Sequence, residues 1–184
     1  MSKTAFIEGR TYVLLRNTSA LCRGLGEGMA IYHCSIKIIS RGKGKSAVAA
    51  AAYRSGENLT NEYDGITHDY TRKGGVVHTE ILLPDNAPAE YADRAVLWNA
   101  VEKIEKAKNA QLAREIEIAL PKELTREQGI SLVREYVKEQ FVNAGMCADI
   151  AIHDKEDGNP HAHDNTPHRA GRHMGSEAEK GVCS

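Results

Sequence analysis

The chain has 184 residues, with 24 basic and 25 acidic side chains, 41% hydrophobic residues and only 5% aromatic ones. This size and composition are typical of one soluble globular domain with a modest core and exclude two large domains. A formal charge of -1 excludes a polycationic coat protein that would hold nucleic acid by bulk electrostatics. Any contact with nucleic acid must therefore come from a local basic patch.

The cysteines and the apolar runs predict a cytoplasmic protein. The four cysteines are far apart and form no C-x-x-C pair, which is the pattern of free thiols in a reducing compartment. No stretch approaches the roughly 20 apolar residues that a membrane span needs, and none is long enough for a signal-peptide core. We therefore expect no membrane insertion.

Residues 1–28 form the first of three predicted regions. They mix charge, glycine and small polar residues without a sustained period, and the pattern sharpens at Met29. Two interpretations compete for this segment. It is either an N-terminal arm without regular structure or an upstream stretch assigned to the protein by a start codon set too early. The folded domain is expected over residues 29–163.

The first elements of that domain are a strand, a helix and a hairpin. Residues 30–39 are rich in β-formers and alternate, which predicts a half-buried strand. Ser46 is placed to cap an alanine-rich helix through Arg54 that ends near Gly56. The turn-rich stretch that follows predicts short hairpin strands around residues 63–66.

The remaining elements alternate between strands and helices. Strands are predicted at 76–83, 112–120, 147–153 and 161–163, because each alternates or is rich in β-formers. Pro88 opens a helix to about Lys108, in which Glu102 and Lys106 are expected to pair on the polar face. A second helix begins at a capping box and ends at Gly145. The order predicts an α+β fold with a largely antiparallel sheet and helices packed on one face.

The strongest chemical signal lies in the segment from His153 to His163. His161 and His163 are two apart on a predicted strand, so they project from the same face, and a tight turn returns His153 beside them. Three neutral nitrogen ligands suit zinc, manganese, nickel or iron, so residue type alone does not choose the ion. Water activated on zinc would make a hydrolase, whereas a Lewis-acid metal on a phosphate needs a separate nucleophile.

A basic segment precedes the candidate nucleophile Tyr53. Residues 37–54 carry five basic side chains and no acid, which predicts a surface that attracts phosphate. These side chains are Lys37, Arg41, Lys43, Lys45 and Arg54. The helix start at Ser46 adds backbone N–H donors that favour an anion. From the sequence alone, two interpretations of Tyr53 stay open: simple packing and a nucleophilic role.

Two acidic side chains lie on the predicted strand before Pro121. Glu115 and Glu117 are two apart and share one face of that strand. One of them is expected either to act as a general base toward a tyrosine hydroxyl or to orient a ligand histidine. Solvation of an edge strand is the alternative explanation.

Taken in order, these motifs resemble the relaxase domain of the MobA/MobL family of HUH-type plasmid mobilisation nucleases. The resemblance runs from Met29 to His163 and rests on five separated segments. They are MAIYHCSIKIISRG, GKSAVAAAAYRSG, EILLP, AREIEIALP and IHDKEDGNPHAH. The resemblance implies an HUH relaxase-like palm and a metal-dependent transesterase that nicks and rejoins one DNA strand at a transfer origin.

Carried over by residue, the resemblance implies a role for each candidate. Tyr53 would attack the scissile phosphate, and His153, His161 and His163 would hold a divalent ion, magnesium or manganese, with zinc or nickel as alternatives. Glu115 would be an acidic helper. The implied partners are single-stranded or hairpin DNA at a transfer origin, accessory mobilisation proteins and a coupling protein.

After His163 the sequence departs from the family pattern. The strand should continue with apolar residues, but Asp164, Asn165 and Thr166 follow. Residues 164–184 are therefore predicted to be a disordered or frameshifted tail, which would leave the palm incomplete and strand transfer impaired. Two other functions remain open: a DNA-binding remnant without catalysis and, more weakly, a tris-histidine zinc hydrolase.

Overall fold

A computed structural model describes residues 2–7, 10–15, 34–155 and 159–167. Near the start, β1 (Ser2–Ile7) and β2 (Arg10–Leu15) pair as an antiparallel two-stranded sheet. The region for which no regular element was predicted thus contains a hairpin. Met29 and residues 30–33 of the first predicted strand lie outside the described residues, so the start-codon interpretation stays a prediction.

The centre of the fold is a five-stranded antiparallel sheet. Its strand order is β3-β7-β9-β8-β6, and a separate hairpin pairs β4 with β5. The strands are β3 (Cys34–Ser40), β4 (Asn58–Asn61), β5 (Ile66–Asp69), β6 (Val76–Leu82), β7 (Gln111–Ala119), β8 (Ala148–His153) and β9 (His161–Pro167). The predicted antiparallel α+β fold is confirmed, including the hairpin around residues 63–66.

Three helices pack against this sheet, and each begins at a side-chain cap. They are α1 (Ala47–Ser55), α2 (Arg94–Ile104) and α3 (Arg126–Gln140). Ser46 accepts a hydrogen bond from the Ala49 N–H, and Thr125 with Gln128 forms both bonds of a capping box. Gly56 ends α1 at φ 71°, a left-handed conformation that glycine adopts without a Cβ penalty.

The helices lie on both faces of the sheet, which corrects the prediction of one face. One core contains Val48 of α1, Leu97 of α2 and Ala113 of β7. The other contains Val133 of α3 and Ile116 of β7. Because successive residues of a strand point to opposite faces, Ala113 and Ile116 place the two cores on opposite sides. The strand β7 carries apolar residues on both of its faces, and this pattern in the sequence indicates that helices cover both faces of the sheet.

The predicted helix over residues 88–108 is divided into two pieces. A short 3-10 turn at Ala89–Ala92 is followed by Asp93, which caps α2 by accepting from the Val96 N–H. Glu102 is only 2% exposed and does not pair with Lys106. Its carboxylate accepts from Arg41 at 2.7 Å and from the buried Ala47 N–H at 2.7 Å. A carboxylate of the protein itself therefore fills the helix start that was predicted to attract a phosphate.

Strand β9 is longer than the three residues predicted for it. It continues to Pro167 and pairs with β7 and β8, and its last four side chains are buried. Asp164 lies in register with Ile116 and Ile150 inside the second core and is fully buried. Within the described residues neither of its carboxyl oxygens has a hydrogen-bond partner, and burial raises its pKa well above the usual range. Residues 168–184 lie outside the described residues.

Two further expectations concern membranes and cysteines. In the described part of the chain, none of the helices combines the length and the apolar character that crossing a membrane requires. Cys147 is a buried free thiol, as predicted, and burial raises its pKa to about 11.

The carboxyl of Asp164 predicts a stabilising substitution. We expect Asp164→Leu to raise the free energy of unfolding by about 1–3 kcal/mol at neutral pH, because it removes an unsatisfied buried polar group. The gain should grow as the pH rises, because burial raises the pKa of Asp164 in the fold, so that above the ordinary aspartate pKa the unfolded chain ionises this carboxyl while the folded protein keeps it protonated, which lowers the stability of the wild type. Urea titrations from pH 4 to pH 8 measure this gain in the free energy of unfolding. Asp85→Leu, at an exposed aspartate, is the matched control, and a decrease in stability with Asp164→Leu would contradict this account.

Candidate metal and nucleophile site

Three histidines converge at the joined ends of two central strands. His153 ends β8, His161 begins β9, and the two are directly paired. The ring centroids lie 5.4 Å apart for His153 and His161, 4.9 Å for His153 and His163, and 5.1 Å for His161 and His163. One ligand nitrogen from each ring lies within 4.8 Å of the other two. The cluster predicted from the sequence is thus assembled by strand pairing.

Each imidazole has one nitrogen directed at a protein oxygen. His153 Nε2 lies 2.7 Å from the Arg54 carbonyl oxygen, and His161 Nδ1 lies 2.8 Å from the Asn159 carbonyl oxygen. A carbonyl only accepts, so these nitrogens carry the protons, and the other nitrogen of each ring keeps a lone pair. His163 Nδ1 lies 3.2 Å from Glu115 Oε1. The carbonyl partners of His153 and His161 fix the tautomer and orientation that metal-binding histidines need, whereas His163 Nδ1 lies beside the Glu115 carboxylate without forming a hydrogen bond among the described residues.

Burial keeps His153 neutral. His153 is only 5% exposed, and this desolvation lowers its pKa to about 4, with further lowering by Lys73 and the other two histidines. A neutral imidazole is the form that ligates a metal. The donor set therefore fits a divalent ion, with Nδ1 of His153 and Nε2 of the other two histidines as the ligand atoms.

Glu115 is tied to the helix that carries Tyr53. Arg54 Nε donates to its Oε1 at 3.0 Å, and Arg54 Nη2 lies 2.5 Å from its Oε2. Burial alone would raise the pKa of Glu115, but His163 and Arg54 overcome that effect and hold the pKa at about 2. A carboxylate with so low a pKa is a weak proton acceptor, so the geometry favours an orienting role over that of a general base.

Glu117 lies beside the same histidine but nearer to solvent. Glu115, Glu117 and His163 also bring three ligand atoms within 4.8 Å of one another, which confirms that the two carboxylates share a face. Lys37 donates to Glu117 at 2.9 Å, and this bond lowers the pKa of the carboxyl. The Lys37 ammonium is thus paired at the rim of the site.

Tyr53 is exposed and directly precedes Arg54, whose carbonyl contacts the histidine cluster. Its side chain is on α1, 52% exposed, and Tyr70 packs edge-on against its ring with centroids 5.2 Å apart. The carbonyl of the next residue, Arg54, is the partner of His153. The end of α1, which carries the candidate nucleophile, is therefore in contact with His153 through the Arg54 carbonyl.

The five predicted DNA-binding cations separate into two groups. Arg41 donates to the carbonyls of residues 102, 105 and 107 and to the Glu102 carboxylate, and Arg54 is buried against Glu115. These two guanidinium groups hold the fold together, a correction to their expected place on the phosphate-attracting surface. Lys43 and Lys45 are exposed, and Lys37 pairs with Glu117.

Two further residues at the site, Lys73 and Asn159, are not predicted from the sequence. Lys73 follows the β4–β5 hairpin, and its Nζ lies 3.8 Å from the centroid of the Tyr53 ring. Asn159 supplies the carbonyl that orients His161. No local pattern marks Lys73, because 20 residues separate it from Tyr53. The Asn-Pro step of the turn could have indicated Asn159.

The pair between Arg54 and Glu115 predicts a difference between two neighbouring carboxylates. We expect Glu115→Gln to lower the free energy of unfolding by about 3 kcal/mol at pH 7, because it leaves a buried guanidinium without its counter-ion. Glu117→Gln should cost less than about 1 kcal/mol, because its pair is exposed. The loss in Glu115→Gln should shrink as the pH falls from about 5 towards 2, since a carboxyl with a lowered pKa stabilises only when ionised. Denaturant titrations at several pH values test this, and equal losses for the two variants would refute it.

Comparison with known proteins finds relatives that are named as mobilization or conjugal transfer proteins. The chain is 47% identical over 125 residues to the mobilization protein MobL of Acidithiobacillus ferridurans, covering 68% of this chain and 32% of that protein. It is 45% identical over 136 residues to a probable mobilization protein MobA of Bifidobacterium longum, covering 73% and 24%. The conjugal transfer protein TraA of Agrobacterium fabrum is 46% identical over 145 residues, 73% of this chain and 13% of that protein. The chain thus spans about a third or less of these curated relatives.

A solved structure supports the same relationship. It comes from work on the molecular basis of vancomycin resistance transfer in Staphylococcus aureus, and it is 38% identical with a TM-score of 0.73 over 77% of this chain and 72% of that one. The family model described as "MobA/MobL family" matches residues 45–181, which is most of the chain and extends past His163. The resemblance read from the five motifs is confirmed, and the chain belongs to the MobA/MobL family.

Proposed function

We propose that this chain is the DNA strand-transfer domain of a mobilisation relaxase, which nicks and rejoins one strand at a transfer origin. The observation that carries the proposal is the junction between α1 and the histidine cluster. The Arg54 carbonyl accepts from His153, one of three convergent imidazoles, at 2.7 Å, and the exposed Tyr53 is the residue before Arg54 on α1. Relatives named as mobilization and conjugal transfer proteins support the same role.

The group transfer proceeds through an exchange of two ester bonds. The Tyr53 oxygen forms a bond to the scissile phosphorus while the bond from phosphorus to the 3′ oxygen breaks. The phenolic proton passes to water, and the leaving 3′ oxygen takes up a proton to become a free hydroxyl. The 5′ phosphate stays on Tyr53, and attack by a 3′ hydroxyl reverses the step, so the bond energy is conserved for rejoining.

The histidines hold the metal in this proposal. His153, His161 and His163 would ligate a divalent ion, which supplies Lewis-acid stabilisation of the charge on the phosphate oxygens. Glu115 orients His163 and stays ionised, because its pKa is about 2. Magnesium and manganese follow from the family, and zinc and nickel suit the same nitrogen donors.

DNA contacts are proposed on the exposed face of the loop before α1. Lys43 and Lys45 are exposed there, with the rim pair of Lys37 and Glu117 on the sheet edge beyond. Contacts of this kind to backbone phosphates fix the register of a strand without reading its sequence. Accessory mobilisation proteins and a coupling protein are the further partners that we propose, in the cytoplasm.

One observation favours a second candidate, a DNA-binding protein without strand transfer. Asp164 is buried without a hydrogen-bond partner among the described residues, and it is the neighbour of His163 on β9. An unsatisfied carboxyl inside a central strand weakens the element that carries two of the three ligands. Covalent adduct formation separates the two candidates.

The adduct assay tests the nucleophile. We expect the chain to form a metal-dependent covalent adduct with oligonucleotides that tile the transfer origin, and Tyr53→Phe to abolish it, because phenylalanine has no oxygen to attack phosphorus. Tyr63→Phe is the matched control, since Tyr63 is similarly exposed at 59%. Gel shift under denaturing conditions and peptide mass spectrometry detect the phosphotyrosine. An adduct that survives in Tyr53→Phe would overturn this assignment, and an intact protein that binds the DNA without an adduct would favour the second candidate.

Metal titration tests the ligands. We expect calorimetry with Mn²⁺, Mg²⁺, Zn²⁺ and Ni²⁺ to find one ion per chain, and His161→Ala to weaken binding more than about tenfold, because one of three nitrogen ligands is removed. His68→Ala, on the β4–β5 hairpin, should leave the affinity unchanged. The metal assignment would be rejected by equal affinities in the two variants.

A further inference from the structure

Lys73 reaches across from the connection between β5 and β6 to the candidate nucleophile. Its Nζ donates to the Tyr53 carbonyl oxygen at 2.6 Å and also lies 3.8 Å from the centroid of the Tyr53 ring. Tyr70 packs edge-on against the same ring. An ammonium over the face of one ring and an aromatic edge beside it limit the orientations of a side chain that is 52% exposed.

The backbone holds this connection in place. The Tyr70 N–H donates to the Glu57 carbonyl just beyond α1, and the Lys73 N–H donates to the Tyr70 carbonyl in a turn. Lys73 is therefore part of an ordered turn and not a freely moving surface lysine. Its position over Tyr53 follows from the way in which the β4–β5 hairpin returns to α1.

The charges around Lys73 are mainly positive. Arg54 on α1 and Lys155 after β8 both act on its ammonium, and together with burial they lower the pKa of Lys73 to about 8. Its charge in turn acts on His153 of β8. An ammonium in such surroundings gains from any negative charge that forms within its reach. The phenolic oxygen of Tyr53 lies on the ring that the ammonium covers, and it is negative when it has lost its proton and again when it leaves phosphorus.

We propose that Lys73 is the positioning residue of Tyr53: its ammonium holds the ring in one orientation and stabilises negative charge on the phenolic oxygen. This role rests on the proposed function, because it assigns to Lys73 the activation of the nucleophile named there. The cation acts through the tyrosine and does not itself take the proton, because its Nζ lies over the ring and donates to the backbone.

The nucleophilicity of the Tyr53 oxygen can be measured without DNA. N-Acetylimidazole acetylates tyrosine oxygens, and peptide mass spectrometry resolves Tyr53 from Tyr63, an internal control of similar exposure. Hydroxylamine removes the acetyl group from tyrosine oxygens but not from lysine, so reaction at Lys73 is distinguished. Arg41 lies 4.4 Å from the centroid of the Tyr63 ring, so Tyr63 also has a neighbouring cation, which is the same in every Lys73 variant. The advantage that Lys73 gives Tyr53 is therefore measured as a change in the ratio of the Tyr53 rate to the Tyr63 rate. At pH 7 we expect Lys73→Gln to lower this ratio several-fold relative to the wild type.

Two further variants control for folding and charge. Lys103→Gln, at an exposed position of α2, should leave the ratio of the two rates unchanged. Lys73→Arg retains a cation that does not deprotonate, so it should retain most of the advantage at pH 7. Between pH 7 and pH 9 the ratio should fall in the wild type as Lys73 loses its proton and stay level in Lys73→Arg. This comparison needs only those two proteins and holds even where Lys73→Gln does not fold.

The outcomes separate the two proposals. The positioning role is overturned by an unchanged ratio of rates in a folded Lys73→Gln protein, or by the same pH dependence in the wild type and Lys73→Arg. An acetylation ratio that depends on Lys73, in a protein that forms no DNA adduct, supports the positioning role and refutes strand transfer. Where the wild type does form the adduct, Lys73→Gln should slow adduct formation about tenfold, and Lys73→Arg should restore most of the rate.

Discussion

The arrangement of the site depends on one residue, Arg54, which makes two different contacts. Its guanidinium holds Glu115 of β7, and its backbone carbonyl accepts from His153 of β8. Glu115 in turn lies beside His163 of β9. The end of α1 is thus connected to three neighbouring strands, and Tyr53 takes its place as the residue before Arg54. Because the pair is buried, loss of either charge leaves the other unsatisfied in the protein interior.

A second buried network of hydrogen bonds connects α2 and the end of α1 to the same sheet. Asp149 of β8 accepts from Arg94 through both oxygens and from Trp98 Nε1 at 2.8 Å, and Arg94 also pairs with Glu57 just after α1. Hydrogen bonds from two donors satisfy a carboxylate that is only 3% exposed. By contrast, Asp164, which directly follows His163 on β9, has no such partner among the described residues. The two aspartates show that burial of a charge is tolerated where its partners are built in.

The local features of the fold were predictable, and the contacts between distant elements were not. Ser46, Thr125 and Gln128 predicted helix starts because caps act within four residues, and the spacing of His161 and His163 predicted a shared face. The charge pattern predicts Arg41 and Arg54 as surface cations, because it does not reveal that Glu102 and Glu115 lie opposite them in the fold. Asp164 predicted a strand end by its polarity, but pairing with β7 and β8 on both sides continues the strand to Pro167. The contact of Lys73 with Tyr53 was not predictable, because it forms only where the β4–β5 hairpin folds back onto α1.

The strand order also determines when the site can exist. β9 is the last strand along the described part of the chain, yet it is inserted between β7 and β8. Until it has left the ribosome, the sheet consists of two unconnected pairs, β3 with β7 and β6 with β8, and His153 lacks both of its neighbouring imidazoles. Long-range insertion of this kind is a late step, because the loops that it closes are ordered only when the final strand arrives. A nascent chain therefore carries Tyr53 and Arg54 for more than a hundred residues of synthesis before the three imidazoles beside them can converge.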